Sequence, residues 1–462
     1  MSGPVFDWIR MLYSSMLYFA RLGDESSDTF GSSRGILQGD PLSPLLFILF
    51  LSDIVLPPDA DDISLGPSKE PVPLLGHADD LVAQSLAAAR VQRRLLFLLQ
   101  WCRSNFLIIN AAKSYIMAFG PLPSPLPTIY VADSPMPWKP DGKYLGAKAD
   151  SRKRDVFAPH YAAQAMKARK AGALIGALRN SLGDLPLSDI LLLYKARIDP
   201  ILTYGCEVTP DVTPSSLLCL HREQRFFLRA RLGLPTSSFS ALLFSETGLW
   251  PIDFRRLELL LRYLYFLRGL PPSRLASAAY QDSLMLASSG FPCWFSDLEI
   301  VTNTLAPQLL PLVRSLLDAP VLHQHILDAL TTRLTAIIAE SSKLSLFKAV
   351  SLSTRSSCTS GTLSFAPALQ PYLAVSRFVN RKALVRLLFS SHTLAVESLR
   401  HHSRVRPFIP RALRLCRLCA LCVEDEMHAL FICQGSRELL DLRTEDHSTF
   451  AICFHSVSPQ LA

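Results

Sequence analysis

Apolar positions recur at helical spacing from the first residues of the chain. Val5, Trp8, Ile9 and Leu12 share one face behind Pro4, which predicts a helix over 4–15. Residues 16–22 read as a strand, 23–28 as a turn rich in Asp and Ser, and 29–30 as the start of a return strand. A polar, glycine-containing loop over 34–44 feeds an apolar helix over 45–56, and the Pro/Asp-rich stretch 57–73 reads as a loop. Residues 74–82 are apolar except at His77, Asp79 and Asp80, which predicts a buried hairpin with acids at its tip. Val91, Leu95, Leu98, Trp101 and Cys102 fall on one face of a helix over 87–106. A polar turn at 110–114 precedes a strand, and 143–146 reads as another short strand. Beyond about residue 150 the two-residue alternation fades. Helices are predicted over 162–182, over 188–204 with a kink at Pro200, over 216–232 and over 251–268. Residues 271–375 read as helical with a Ser/Thr-rich loop at 351–364, and the last twenty residues lack a pattern. The fold class is therefore α+β: mixed in the first third, mostly helical afterwards, with a small cysteine module near the end.

Composition narrows the class. Hydrophobic residues make up 49% and charged residues 19% of the 462, which argues against wholesale disorder. The chain has no apolar run of membrane-spanning length. Asp7, Arg10 and Arg21 interrupt the apolar start, so neither a transmembrane span nor a signal peptide is expected, and no membrane partner. The net charge of +8 is concentrated. Residues 377–417 hold ten Lys/Arg against one acid, and residues 139–170 hold nine against three. Two such stretches are the footprint expected for a polyanion partner, of which nucleic acid is the commonest.

Candidate chemistry gathers at two places. The chain contains two Asp-Asp pairs, Asp61-Asp62 and Asp79-Asp80, and the second lies between Leu74-Leu75 and Leu81-Val82. Acids at a buried tip are costly unless something positive neutralises them, and a divalent metal does so. Upstream, Gln38-Gly39-Asp40-Pro41 is a turn at a helix start, where Gly35 and Gly39 give the backbone freedom and free amides suit phosphates. Near the other end, Cys416-x2-Cys419-x8-His428-x4-Cys433 supplies four ligands fit for tetrahedral Zn²⁺, with Cys419-x2-Cys422 an equally good knuckle by spacing. Arg404, Arg406, Arg411, Arg414 and Arg417 flank it, which suits RNA or single strands.

In order along the chain stand Gly35-Ile-Leu-Gln-Gly-Asp-Pro-Leu-Ser-Pro44, Ala78-Asp79-Asp80, Asn110-Ala-Ala-Lys113-Ser114 and Tyr144-Leu-Gly146. This series resembles the reverse transcriptases of non-LTR (LINE-like) retrotransposons. Thr203-Tyr-Gly-Cys-Glu207, the block from Glu246 through Pro251 to Arg256 and the C-terminal Cys/His module resemble the helical region and zinc knuckle that follow the polymerase in those elements. The resemblance implies partial right-hand polymerase fingers and palm over 1–148. A helical thumb and connector over 149–270, a helical region over 271–405, a zinc knuckle over 406–440 and a tail over 441–462 would follow. It implies RNA-templated DNA synthesis, with an RNA template, a DNA primer and dNTP as partners, in nucleus or cytoplasm. Asp79 and Asp80 would be catalytic and hold Mg²⁺ or Mn²⁺, Gln38 and Gly39 would meet template and nucleotide, and Lys113 the nucleotide phosphates. Tyr144, Leu145 and Gly146 would form the primer grip, and Lys167, Arg169 and Lys170 would contact the duplex backbone. Cys416, Cys419, His428 and Cys433 would hold Zn²⁺, beside Arg411, Arg414 and Arg417 for nucleic acid. Two departures stand out. His77 occupies a position that is aromatic in the family. The family's first catalytic aspartate, expected in a strand well before Gln38, has no counterpart among Asp7, Asp24, Glu25 and Asp28. The expectation is a truncated, catalytically weakened copy, or alternatively a non-catalytic nucleic-acid-binding remnant.

Overall fold

The computed structural model describes residues 3–31, 35–37, 39–67, 70–121, 124–314, 319–355, 363–400 and 407–445. The chain divides into two compact units, residues 1–65 with 69–139, and residues 66–68 with 140–462.

In the first unit, Pro4 at the first turn starts α1 (Pro4–Ser14), as the apolar spacing predicts. The strand expected over 16–22 is broken in two. β1 (Leu17–Tyr18) pairs with β4 (Phe30–Gly31), and β2 (Arg21–Leu22) pairs with β3 (Glu25–Ser26) around Gly23, whose φ is 65°. α2 (Ser43–Leu51) stops short of residue 56, where the Ser52 hydroxyl donates back to the Leu49 carbonyl at 2.7 Å. β5 (Ser64–Leu65) pairs with β6 (Glu70–Pro71). β7 (Leu74–His77) and β8 (Asp80–Ala83) form the predicted hairpin, in the register Leu74 opposite Ala83 and His77 opposite Asp80. α3 (Ala88–Ser104) buries Leu95, Leu98 and Cys102. The strand expected after residue 114 is reduced to a bridge between Ile116 and Trp138, and β9 (Tyr130–Val131) pairs with β10 (Ser134–Pro135). The unit's core is Leu95, Ile116, Ile129 and Val131. The described strands form separate two-stranded pairs rather than one sheet.

The second unit opens with a hairpin of β11 (Asp141–Tyr144) and β12 (Ala147–Asp150), so these residues pack with the helices after them. α4 (Ala158–Leu182) follows. α5 (Leu187–Arg197) and α6 (Asp199–Thr203) meet at Ile198, because Pro200 cannot continue the hydrogen-bond ladder and instead sits in the first turn of a new helix. α7 (Pro214–Leu232) packs along α4 and ends at Gly233 in the left-handed conformation, φ 68°. α8 (Ser240–Thr247) is buried along its whole length, and α9 (Ile252–Arg268) buries Phe254, Leu257, Leu260, Leu261 and Leu264. α10 (Leu275–Ser288), α11 (Trp294–Leu305), α12 (Leu310–Arg314), α13 (Ala319–Glu340) and α14 (Ser345–Arg355) bear out the helical reading of 271–355. The expected loop at 351–364 falls partly on the end of α14 and partly outside the described residues. α15 (Phe378–Leu388), α16 (Ala395–Ser398) and α17 (Arg437–Glu445) complete the helices, with a π-helical turn over His428–Ile432. One continuous core runs through this unit from Tyr161 to Phe389.

Candidate functional site

The Asp79 hairpin turns in two residues. His77 and Asp80 are opposed, Ala78 and Asp79 make the turn, and Ala78 carries the positive φ of 51° that so short a connection demands. Leu81 and Val82 are half-buried, but Asp79 and Asp80 are exposed, as is His77. This corrects the expectation of a buried acidic tip: the apolar flanks are only half-buried, and the turn carries the acids into solvent. No described residue bonds either carboxylate.

Asp61-Asp62 behaves differently, and α3 is the reason. Its first two turns present Arg90, Arg93 and Arg94 to the preceding loop. Arg93 meets Asp59 at 2.7 Å, Arg90 meets Asp61 at 3.1 Å, and Arg94 forms an ion pair with Asp62 in which both side chains are buried. The Arg93 hydrogen bond holds the Asp59 carboxyl below its ordinary range. The Asp61-Asp62 pair is thus spent on structure, and the second pair, at positions 79 and 80, is left with its oxygens available.

The loop before α2 is shaped by glycine conformation rather than by crowding. Gly35 and Gly39 have φ of 95° and 91°, with open space where a side chain would stand. Asp40 shapes the turn that leads into α2, its side chain accepting from the Leu42 amide at 3.2 Å and from the Tyr13 hydroxyl at 3.1 Å. Gln38 lies outside the described residues. Lys113 is exposed on a turn set by Asn110, whose side-chain oxygen accepts from the Lys113 amide at 3.2 Å. Among the described residues no hydrogen bond or ion pair joins Gly39, Lys113 and Asp79-Asp80 to one another.

In the second unit, Tyr144, Leu145 and Gly146 form a tight turn. Leu145 and Gly146 both have positive φ, 46° and 85°, the signature of a type I′ hairpin. Lys143 and Lys148 are cross-strand partners on this hairpin. Lys167 and Lys170 are exposed on α4, and the charges of Lys148 and Lys167 both bear on the buried His160. Arg169 is committed to α7, pairing with Glu223 at 3.0 Å and lying 5.3 Å from the Phe226 ring centre.

Sequence reasoning missed the support for this turn. The Tyr204 hydroxyl donates to the Leu145 carbonyl at 2.5 Å, and a Cβ on Gly146 would sit 2.7 Å from that hydroxyl. His160 in turn holds the Tyr204 carbonyl at 2.9 Å through Nε2. The signal was the Tyr-Gly pair within the 203–207 motif, since Gly205 at φ 77° faces the His160 ring.

The cysteine module converges. Donor atoms of Cys416, Cys419, His428 and Cys433 lie within 4.8 Å of one another. The Cys416 and Cys433 sulfurs are 3.6 Å apart, and Cys419 Sγ is 3.3 Å from His428 Nε2. Tetrahedral zinc with bonds of about 2.3 Å to sulfur and 2.0–2.1 Å to nitrogen needs edges only slightly longer than these, so the donor set fits the ion. Amides of Leu418 and Gly435 point at the Cys416 and Cys433 sulfurs, each at 3.4 Å. The Leu421 amide above all, with those of Cys422 and the His428 ring, lowers the Cys419 thiol to about 6. Cys422 is exposed and outside the cluster. Sequence reasoning missed Gly435, two residues past the last ligand. A Cβ there would stand 2.5 Å from the Leu418 carbonyl carbon, so only glycine lets the two knuckle strands touch.

The arginines beside the module are occupied. Arg414 is buried, donates to the carbonyls of Val396 and Ile409 at 2.7 and 2.9 Å, and lies over Phe408. Arg417 pairs with Glu424 at 2.7 Å and donates to the Thr393 carbonyl. Arg411 is exposed and reaches Asp425 at 3.3 Å. Together with Glu424, which accepts from the Ala395 amide, these contacts dock the module on residues 393–397. Arg404 and Arg406 lie outside the described residues.

Residues 2–149 match the family described as reverse transcriptase (RNA-dependent DNA polymerase). The chain is 28% identical over 212 residues, 44% of its length, to the probable RNA-directed DNA polymerase from transposon X-element of Drosophila melanogaster. The match takes in 22% of that relative, so the chain spans about a fifth of its length. No helix among the described residues is long and apolar enough to cross a membrane. The match to the polymerase family and the likeness to a transposon polymerase agree with the motif order: residues 2–149 carry a reverse-transcriptase domain, in a chain similar to a transposon polymerase.

Proposed function

We propose that this chain is the polymerase portion of a non-LTR retrotransposon reverse transcriptase. It would copy an RNA template from a DNA primer with dNTP, in nucleus or cytoplasm. The supporting observation is the contrast between the two Asp-Asp pairs: arginines of α3 neutralise Asp61-Asp62, while Asp79-Asp80 stands open at a hairpin turn inside the matched region. In this reading Asp79 binds Mg²⁺ or Mn²⁺ with Asp80 as its less direct partner, and the bound ions supply charge neutralisation for phosphoryl transfer. Gly39 and Gln38 lie along template and nucleotide, Lys113 faces the nucleotide phosphates, and Tyr144, Leu145 and Gly146 hold the primer end. Lys167 and Lys170 meet backbone phosphates, with Arg169 fixing the helix that carries them. Cys416, Cys419, His428 and Cys433 hold Zn²⁺. Arg414 and Arg417 order the module, and Arg411 remains as its exposed cation.

One observation favours a second reading, a non-catalytic nucleic-acid binder. Among the described residues the only gathered set of three or more metal-ligating side chains is the Cys/His cluster, so no third ligand stands with Asp79 and Asp80. Losing a member of a catalytic unit costs several orders of magnitude in rate. The test is primer extension with Mg²⁺ or Mn²⁺ beside a binding measurement on the same template–primer. Binding with weak extension that Asp79→Ala abolishes is expected. Binding with no extension at all leaves the second reading. Robust extension indifferent to Asp79→Ala overturns the assignment of the acids.

A further inference from the structure

Three arginines meet where α4, α7 and α15 come together. Arg179, near the end of α4, lies 4.7 Å from the Phe378 ring centre, and Arg381 lies 5.7 Å from the same ring. Arg231, in the last turn of α7, stacks on Phe227 and reaches Gly176, one turn before Arg179 on α4. A Cβ at position 176 would sit 2.7 Å from the Arg231 guanidinium, so the glycine makes the room that guanidinium occupies.

The charges do not balance. Among the described residues the one carboxylate bonded to the group is Asp184, which pairs with Arg179 at 2.6 Å. Arg381 is 2% exposed; it donates to the Val375 carbonyl at 2.8 Å, and its Nε has no partner. Arg231 Nε is buried and also unpartnered, and no described residue gives Arg231 a hydrogen bond or ion pair. Burial first, and then the charge of Arg179, holds Arg231 below the ordinary guanidinium value; burial does the same to Arg381. An arginine does not shed its proton in response, and a buried unpaired charge is among the most costly groups a fold can carry. The arrangement is an excess of positive charge: the half-exposed Arg179 stands at the surface, Arg231 beside it with a buried, unpartnered Nε, and Arg381 lies buried behind them. Guanidinium forks match the paired oxygens of a phosphate group, which a spherical halide does not offer.

We propose that Arg179, Arg231 and Arg381 form a binding site for a phosphate group, supplied by the backbone of a bound nucleic-acid strand. The site itself stands on the geometry of this junction; the source of the phosphate rests on the nucleic-acid reading above. It is separate from Lys167 and Lys170, which lie two or more turns earlier on α4.

The test uses the full chain and two probes. In the first arm, thermal unfolding is followed in inorganic phosphate and in chloride at equal ionic strength. Wild type is expected to gain melting temperature in phosphate, and Arg231→Gln to lose that gain, with phosphate binding weaker by about tenfold. Asp184→Asn removes the competing carboxylate and is expected to tighten phosphate binding several-fold, a change in the direction that misfolding cannot imitate. In the second arm, affinity for a single-stranded RNA is measured against salt. Arg231→Gln is expected to reduce the magnitude of the log–log slope by about 0.7, the share of one phosphate. Equal melting in phosphate and chloride for all three proteins overturns the site. Phosphate stabilisation with an unchanged RNA slope makes free phosphate the ligand and overturns the nucleic-acid source. RNA binding without phosphate stabilisation leaves the polymerase reading standing and this inference fallen. Phosphate stabilisation in a chain that binds no RNA does the reverse, keeping the site and removing that reading.

Discussion

At the scale of single residues, the close approach of two backbone segments beside the cysteine cluster depends on one glycine. Gly435 lies against the Leu418–Cys419 peptide, so Gly435→Ala pushes apart the two segments that carry Cys419 and Cys433. Structural zinc sites use all four ligands, and their order depends on the ion. The variant is therefore expected to lose zinc to a chromogenic chelator far faster than wild type, which should hold about one ion per chain. Cys422→Ser should release zinc at the wild-type rate, because Cys422 is exposed and not among the clustered donors. Equal release from Gly435→Ala and wild type would mean that the knuckle yields without strain, and that the close approach has no bearing on the metal. The four side chains that converge were legible in the sequence because their spacing follows a known ligand pattern; Gly435 was not, because its role exists only once the chain returns on itself.

At the scale of elements, the long amphipathic helices were read nearly to the residue, and the short strands were not. α3 and α9 announce themselves by repeated apolar positions on one face, and Pro200 marks the break between α5 and α6. β1 to β4 are two residues each, too short for alternation to register. α8 escaped notice for the opposite reason: buried all round, it has no polar face to set a period. The support beneath the Leu145 turn also crosses elements, and it carries a pH dependence. Burial keeps His160 below its ordinary value, so the folded state holds it neutral. A depressed histidine contributes stability that is present above the unfolded value, about 6.5, and lost as pH falls towards the folded one. Urea midpoints should therefore drop on acidification below that point, and His160→Gln should flatten part of the drop. Part of the remainder belongs to His221, which burial shifts the same way, and part, at lower pH, to carboxylates such as Glu258 and Glu426 that are held below their ordinary values. A midpoint curve unchanged by His160→Gln would show that this ring gains a proton in the folded state without cost. The Arg256 clamp is a third cross-element device. Buried, it binds Asp211 through Nε and Nη2, with contacts of 2.8–3.0 Å, and donates to the Leu202 carbonyl and the Tyr161 hydroxyl, tying α4, α6 and α9 together. Removing one partner of a buried pair strands the other, so Arg256→Ala should cost about 3–5 kcal/mol in chemical denaturation. A loss below about 1 kcal/mol would place Asp211 in contact with water rather than in the core.

At the scale of the whole molecule, the two units differ in how much of their apolar surface they bury. In the second unit, Leu257, Leu260, Leu261 and Leu264 of one helix are 1–3% exposed, and the core continues through most of the helices around them. In the first, α1 buries none of its side chains fully, and Trp8 and Met11 are 55% and 62% exposed. α2 is apolar at almost every position yet fully buries only Ser43, leaving Ile48 57% exposed. Apolar burial supplies most of the stability that opposes local opening, at roughly 25 cal/mol per Å². Amide hydrogen exchange on the isolated chain should therefore resolve a gradient. α9 should exchange slowest, on the scale of global unfolding. α3, anchored by Leu95 and Leu98, should be the slowest element of the first unit, and α1 and α2 should exchange within the least protected class. The β7–β8 turn that carries Asp79 should follow α3 rather than α1, because Leu81 and Val82 are half-buried and β8 packs on α3. Protection of α1 and α2 equal to that of α9 would refute the argument, since it would require their stability to come from something other than the surface they bury. The ordering bears on the metal-binding role proposed for Asp79 and Asp80. Two carboxylates can hold a metal in a fixed geometry only if the turn beneath them is stable on the time scale of binding, and α3 is what stabilises it.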